Sequence, residues 1–182
     1  QKPVSLDEVL NARPVAEPLG ILDCSPISDG AAAVVVCSEA GLRRLGISGK
    51  RPVIRGIGLT SGTLRVGLYD LNEEDISRRA AQMVFDGAAV DPSDIDLVEM
   101  HDCFTIAEIV RMEGVGLIPR GEGAAWTARG DTSIGGRLPV NPSGGLLSRG
   151  HPVGATGVAQ VCELYWQLTG RAQGRQVEGA RI

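Results

Sequence analysis

Pro139-Val140-Asn141-Pro142-Ser143-Gly144-Gly145-Leu146-Leu147-Ser148-Arg149-Gly150-His151-Pro152-Val153-Gly154-Ala155-Thr156-Gly157 sets five glycines around one histidine. Prolines and glycines at this density rule out one continuous regular element. The run reads as a short strand from Val140, a glycine-rich turn, and a helix over about 155–169. Val158, Val161, Tyr165 and Leu168 recur on one side of that helix before Gly170 closes it. His151-Pro152 therefore sits in a turn just ahead of a helix N-terminus.

Working upstream, 95–100 reads as a strand, and Glu99-Met100-His101-Asp102-Cys103-Phe104 carries the second of only two histidines to its end. In open α/β sheets, ligands meet the carboxyl ends of strands. A helix is predicted from about Thr105, with Ile106, Ile109 and Val110 on one face and Gly114 and Gly116 at its end. Before it, Asn72 is an N-cap candidate, with Glu73, Glu74 and Asp75 in the first turn. Ile76, Ala80, Met83 and Val84 follow at helical spacing until Gly87. Segments 31–37 and 52–59 read as strands, with a short helix over 39–45 between them. Residues 1–20 and 117–139 carry too many prolines and glycines for long elements. A structureless stretch of the latter length is usually functional or disordered. Residues 171–178 form a polar link, and 179–182 reads as a strand just begun. Alternating strands and helices argue for a three-layer α/β architecture.

Composition narrows the function classes. The chain has 182 residues and a formal net charge of −4, with mean hydropathy +0.05 and pI near 5.2. It offers no basic footprint for a nucleic acid and no apolar run of about 18 residues that would span a membrane. Cys24, Cys37, Cys103 and Cys162 are scattered singly, which suits a reducing compartment. No secretory signal is evident. Only Lys2 and Lys50 are lysines among 18 basic residues, a composition pointing to a bacterial source. A cytoplasmic location is expected.

Several chemistries suit these residue types to different degrees. His101, Cys103 and His151 could ligate a metal, but a closed site needs a fourth ligand at matching spacing; no metal is expected. No Gly-x-x-x-x-Gly-Lys-Ser/Thr occurs, and Gly56-Ile57-Gly58 opens no helix, so phosphate-loop readings fail. Each histidine, taken alone, also fits a buried side chain satisfied by a carbonyl. A thiol and an imidazole titrate near about 8.5 and 6.5, so Cys103 with His151 suits proton transfer near neutral pH. Cys37 and Cys162 read as apolar filler, Asp29, Asp70 and Glu163 as turn or solvent residues, and Trp126 and Trp166 as packing.

The 99–104 box, Glu108 and the 139–157 run closely resemble the C-terminal half of thiolases of the sterol-carrier-protein type. His-Asp-Cys-Phe stands where other thiolases have Asn-Glu-Ala-Phe. Asp29-Gly30-Ala31-Ala32-Ala33-Val34-Val35-Val36 is similar to the last strand of the thiolase N-terminal domain, so the likeness covers essentially the whole chain. The resemblance implies a thiolase-like αβα half with a mixed five-stranded sheet, its last strands missing. On this reading 1–49 ends the N-terminal domain and 50–182 is an incomplete C-terminal domain. It also implies homo-oligomers acting on coenzyme A thioesters, with coenzyme A a substrate and no resident cofactor.

By the same resemblance, His151 activates a nucleophilic cysteine and helps bind the thioester oxygen. Cys103 moves the substrate α-proton. His101 takes the place of an asparagine that holds an oxyanion-hole water. Gly144, Gly145, Ser148, Gly154 and Phe104 are the expected coenzyme A contacts, glycines letting backbone approach the thin pantetheine arm. The family's nucleophilic cysteine belongs to the N-terminal half, and none of the four cysteines here has that context. The chain is thus expected to need that half as a partner and not to turn over alone. Two alternatives stay open: a thiolase-like retro-aldolase on 3-hydroxyacyl-CoA, and a non-catalytic acyl-CoA binding or lipid-transfer module.

Overall fold

The computed structural model describes residues 3–49, 51–62 and 75–182. Asp75–Ala88 (α3), Thr105–Gly114 (α4) and Val153–Leu168 (α7) form where helical spacing predicts them. Asn72, the N-cap candidate of α3, and Asp70 lie outside the described residues. Ser38 caps the short helix Glu39–Arg44 (α2) by accepting the Gly41 amide at 3.1 Å. Near the start, Leu6–Leu10 (α1) opens on a Ser5–Glu8 capping box. Pro14–Ala16 (β1) and Leu19–Gly20 (β2) follow as an antiparallel pair.

Besides α1, which forms within residues 1–20, two helices go beyond the sequence reading. Gly123–Arg129 (α5) forms inside the stretch expected to be irregular, ending on Gly130 in the left-handed conformation. Gly145–Arg149 (α6) forms within the glycine-rich turn. Both are a turn or two long, too short for apolar periodicity to register.

The core gathers Met100, Met112, Ile118, Trp126, Leu138 and Val140, with Ile95, Val98, Ile109 and Leu117 packed against it. Helix α4 lies against both α5 and α3. The guanidinium of Arg137 stacks 4.5 Å from the Trp126 ring, so Trp126 packs as expected. Trp166 is exposed instead.

Sheet formation is where the strand expectations change. Segment 95–100 meets Val140 through one parallel bridge: the Val98 amide donates to Pro139 O at 2.9 Å, and Asn141 N donates to Val98 O at 2.7 Å. Beside it, Asp96 N donates to Ile182 O at 2.9 Å, and the Asp96 carboxylate accepts the amides of Arg181 and Ile182. Three segments thus gather around residue 97 as part of a thiolase-like αβα half. A full five-stranded ladder is not assembled among the described residues.

Segments 31–37 and 52–59 join no ladder there, because a strand needs a neighbour for its amides and carbonyls. Val35 is 97% exposed, and Cys37 is exposed rather than buried filler. Segment 51–62 lies along α3, where Arg55 donates to Ala88 O at 2.6 Å and Thr60 to Ile76 O at 2.8 Å. Gly58 permits that approach, since a Cβ there would strike the Ala80 carbonyl. Glu163, expected at the solvent, is instead buried on α7, where it pairs with Arg175 at 2.9 Å and accepts from Gln167 at 3.0 Å.

Candidate functional site

Three carboxylates from 99–108 hold the glycine-rich loop. Glu99 accepts the Ser143 amide at 3.0 Å and its hydroxyl at 2.8 Å, with Arg149 at 3.5 Å. Buried Asp102 accepts the Leu146 amide at 2.7 Å at the start of α6. Glu108 accepts from Asn141 Nδ2 at 2.9 Å, while Asn141 Oδ1 accepts the Met100 amide at 2.8 Å. The loop runs close over Asp102: Gly145 has φ +60°, and a Cβ there would overlap the carboxylate. Charge-assisted bonds of this kind fix geometry as well as supplying energy.

This stitching brings both histidines together. Their rings meet edge to face with centroids 4.7 Å apart. Arg111 donates to the His101 carbonyl. His151 Nδ1 lies 2.7 Å from Thr156 Oγ1, which donates to Pro152 O at 3.1 Å within the first turn of α7.

A second brace comes from the N-terminal segment. Ser25 N donates to Cys103 O at 2.9 Å, and His151 N donates to Pro26 O at 3.2 Å. Thr105 donates to Asp23 Oδ1 at 2.9 Å, and Cys24 bridges Phe104. Cys103 and His151 are therefore hung from adjacent residues of one strand-like segment.

Burial, then the positive charges of Arg111 and His151, hold the His101 imidazole below its ordinary range against the opposing pull of Asp102. Burial chiefly pushes Glu108 up to about 7, with Asp102 and Glu99 adding to the rise and the Asn141 bond opposing it. Glu99 is also raised by burial, against its bonds to Ser143 and the charge of Arg149. Two imidazoles in contact, with a thiol two residues from His101, can supply donors and acceptors to a developing charge.

Of the residues singled out from sequence, His101 and His151 meet directly, and Cys103 shares the brace of His151. All three are half-buried. Phe104 is the N-cap of α4 and is exposed. Gly144 and exposed Ser148 are neighbours across the first turn of α6. Gly154 faces open space on α7. A cavity of about 390 Å³, bordered by Ser28, Asp29, Gly30, Pro152, Val153 and Gly154, opens beside the His151 turn. Thr156, Asn141 and Asp23 join the site without having been expected there. The five-residue step from His151 to Thr156 is a signal that could have shown the first of them. Among the described residues no His, Cys, Asp and Glu side chains converge as a metal cluster.

The thiolase C-terminal domain-like family matches residues 68–182. Sterol carrier protein 2 of Oryctolagus cuniculus is 43% identical over all of this chain and 34% of its own length. An acetyl-CoA acetyltransferase of Methanothermobacter thermautotrophicus is 48% identical over 98% of this chain and 46% of its own. The solved structure of an Ltp2-ChsH2(DUF35) aldolase superposes on 98% of this chain with TM-score 0.83 at 25% identity, using 47% of that chain. The chain thus spans from a third to under a half of the length of these proteins. With the His-Asp-Cys-Phe and Gly-His-Pro loops folded against each other, and with that match, the chain belongs to the thiolase superfamily as a C-terminal half of the sterol-carrier-protein type.

Proposed function

We propose that the chain supplies the acid–base part of an acyl-CoA C-acyltransferase site that cleaves or forms 3-ketoacyl-CoA thioesters in lipid or sterol side-chain metabolism. The thiolase N-terminal half supplies the nucleophilic cysteine, in a homo-oligomer, and this chain alone does not turn over. The observation that carries the reading is the edge-to-face His101–His151 pair at 4.7 Å, with Cys103 held by Ser25 and His151 by Pro26. Thioester cleavage between the α and β carbons needs a nucleophile, a proton shuttle and donors at the developing oxyanion. His151 takes the thiol proton of the nucleophile. Cys103 gives a proton to the substrate α-carbon in cleavage and removes it in condensation, and His101 faces the oxyanion. The pantetheine arm of coenzyme A passes Gly144, Gly145, Ser148, Gly154 and Phe104, along the cavity beside Pro152.

Joined to its N-terminal half, Cys103→Ala is expected to acylate the nucleophile but to lose α-hydrogen exchange and carbon–carbon cleavage by about 10²–10⁴. Cys162→Ala, whose sulfur lies against Ala33 O at 3.6 Å, is expected to react at the wild-type rate. Equal losses in rapid-quench assays of both variants would mean that packing explains them. A second reading has the same fold cleave a 3-hydroxyacyl thioester by retro-aldol chemistry, favoured by the superposition on an aldolase. Retention of Cys103 with His151 favours the thiolase. The two readings separate by product: thiolysis consumes coenzyme A and yields two acyl thioesters, whereas the aldolase releases a free carbonyl compound.

A further inference from the structure

We propose that Thr156 is a positioning residue that fixes His151 as the tautomer protonated on Nδ1, so that Nε2 presents a bare lone pair to the site. The inference rests on the role given above to His151, and it concerns which ring nitrogen is the base.

A threonine hydroxyl has one hydrogen to give and lone pairs to receive with. Thr156 Oγ1 lies 3.1 Å from the Pro152 carbonyl, an atom that only accepts, in the helix back-bond from i to i−4 that threonine favours. The back-bond takes its hydrogen and leaves the oxygen to accept. The same oxygen lies 2.7 Å from His151 Nδ1, and a hydroxyl oxygen already donating elsewhere can meet that nitrogen only as an acceptor. With the hydroxyl hydrogen on Pro152 O, Nδ1 carries the proton. In a neutral imidazole the other nitrogen is left unprotonated.

Burial makes the arrangement durable. Thr156 is 5% exposed, so water cannot readily replace it as the ring's partner. The hydroxyl belongs to the first turn of α7, where the amides of Ala155 and Thr156 also donate to Pro152 O at 2.8 and 3.0 Å. The backbone of His151 is pinned separately through its amide to Pro26 O. Ring and backbone are held from two sides. When a thiol gives its proton to Nε2, the thiolate and an imidazolium form, and Nδ1–H stays bonded to Thr156 throughout. An imidazole held in the other tautomer would offer a hydrogen where a lone pair is required.

The test reads the tautomer directly. The chain is labelled with ¹⁵N-histidine and sedimented for magic-angle-spinning NMR, which tolerates association, at about pH 8, above the ordinary imidazole range. With two histidines in the chain, His101→Gln assigns the remaining ring to His151. The expected spectrum has a proton-bearing, pyrrole-type Nδ1 and a pyridine-type Nε2. Thr156→Val keeps the side-chain shape and removes the oxygen, so the Nδ1–H signal should lose its dominance and a mixed population appear. Thr156→Ser should restore it. A wild-type ring protonated on Nε2, or a Thr156→Val ring with unchanged Nδ1–H, would overturn the proposal. The wild-type measurement stands even if the valine variant fails to fold. Single-turnover acylation by His151→Asn, in the chain joined to its N-terminal half, tests the underlying role on its own. A wild-type rate there would remove His151 from acyl transfer without altering the tautomer result.

Discussion

At the scale of single residues, Glu108 gives the sharpest pH prediction. Its carboxyl titrates at about 7 in the fold against an ordinary 4.5, so the folded chain binds this proton more tightly than the unfolded one. The stabilisation is complete below about pH 4.5 and is lost as pH rises through about 7. The shift corresponds to something on the order of 3 kcal/mol before screening by the nearby solvent is discounted. Glu108→Gln keeps an acceptor for Asn141 Nδ2 and removes the titration. Urea unfolding at pH 5 and pH 8 should show a smaller difference between the two pH values in the variant than in the wild type. An equal difference would show that Glu108 is not the responsible group; Glu99, raised in the same direction, contributes alike to both proteins. The two histidines and Cys103 are legible in the sequence because unusual residues sit at strand and helix junctions. Glu108 is not legible there as a titrating group, since a carboxylate at helical spacing looks the same whether it faces water or an asparagine.

Among the elements, α6 and α7 respond differently to one added methyl group. Gly145 in α6 has φ +60°, and its Cβ would collide with the Asp102 carboxylate that holds Leu146 N. Gly145→Ala should therefore cost roughly 2 kcal/mol or more, through backbone strain and a displaced buried carboxylate. Gly154 in the first turn of α7 has open space where a methyl group would project, with no atom within 4 Å, and alanine is a better helix former than glycine. Gly154→Ala should hold or raise the melting temperature while weakening coenzyme A binding in the complete site. Thermal melts paired with calorimetric titration check both, and equal melting losses would refute the distinction. Helices α3, α4 and α7 are legible because each repeats apolar residues over several turns. The strands are less so: 31–37 and 52–59 have strand composition, yet a ladder depends on a partner that local sequence does not encode. Segment 95–100 does find neighbours, in Val140 and Ile182.

At the scale of the whole molecule, much of the surface is left uncovered. The accessible area is 12290 Å², against about 8,400 Å² for a compact monomer of this mass. The excess lies on one chain and exceeds the roughly 1,000–2,500 Å² per partner that many obligate interfaces bury, and it includes Val35 and the 88%-exposed Leu59. Sedimentation velocity between about 1 and 100 µM should show concentration-dependent association, as exposed apolar patches drive it. A single monomeric species across that range would contradict this. The brace formed by residues 23–26 carries a different lesson, about recombination. A chimera joined at 49/50 would give the Cys103 and His151 loops a brace inherited from another parent, with Asp23, Ser25 and Pro26 meeting contacts they did not evolve beside. Crossovers placed ahead of β2 keep the brace and both loops from one ancestor. In a library of thiolase hybrids, functional survivors should accordingly cluster at the upstream junction.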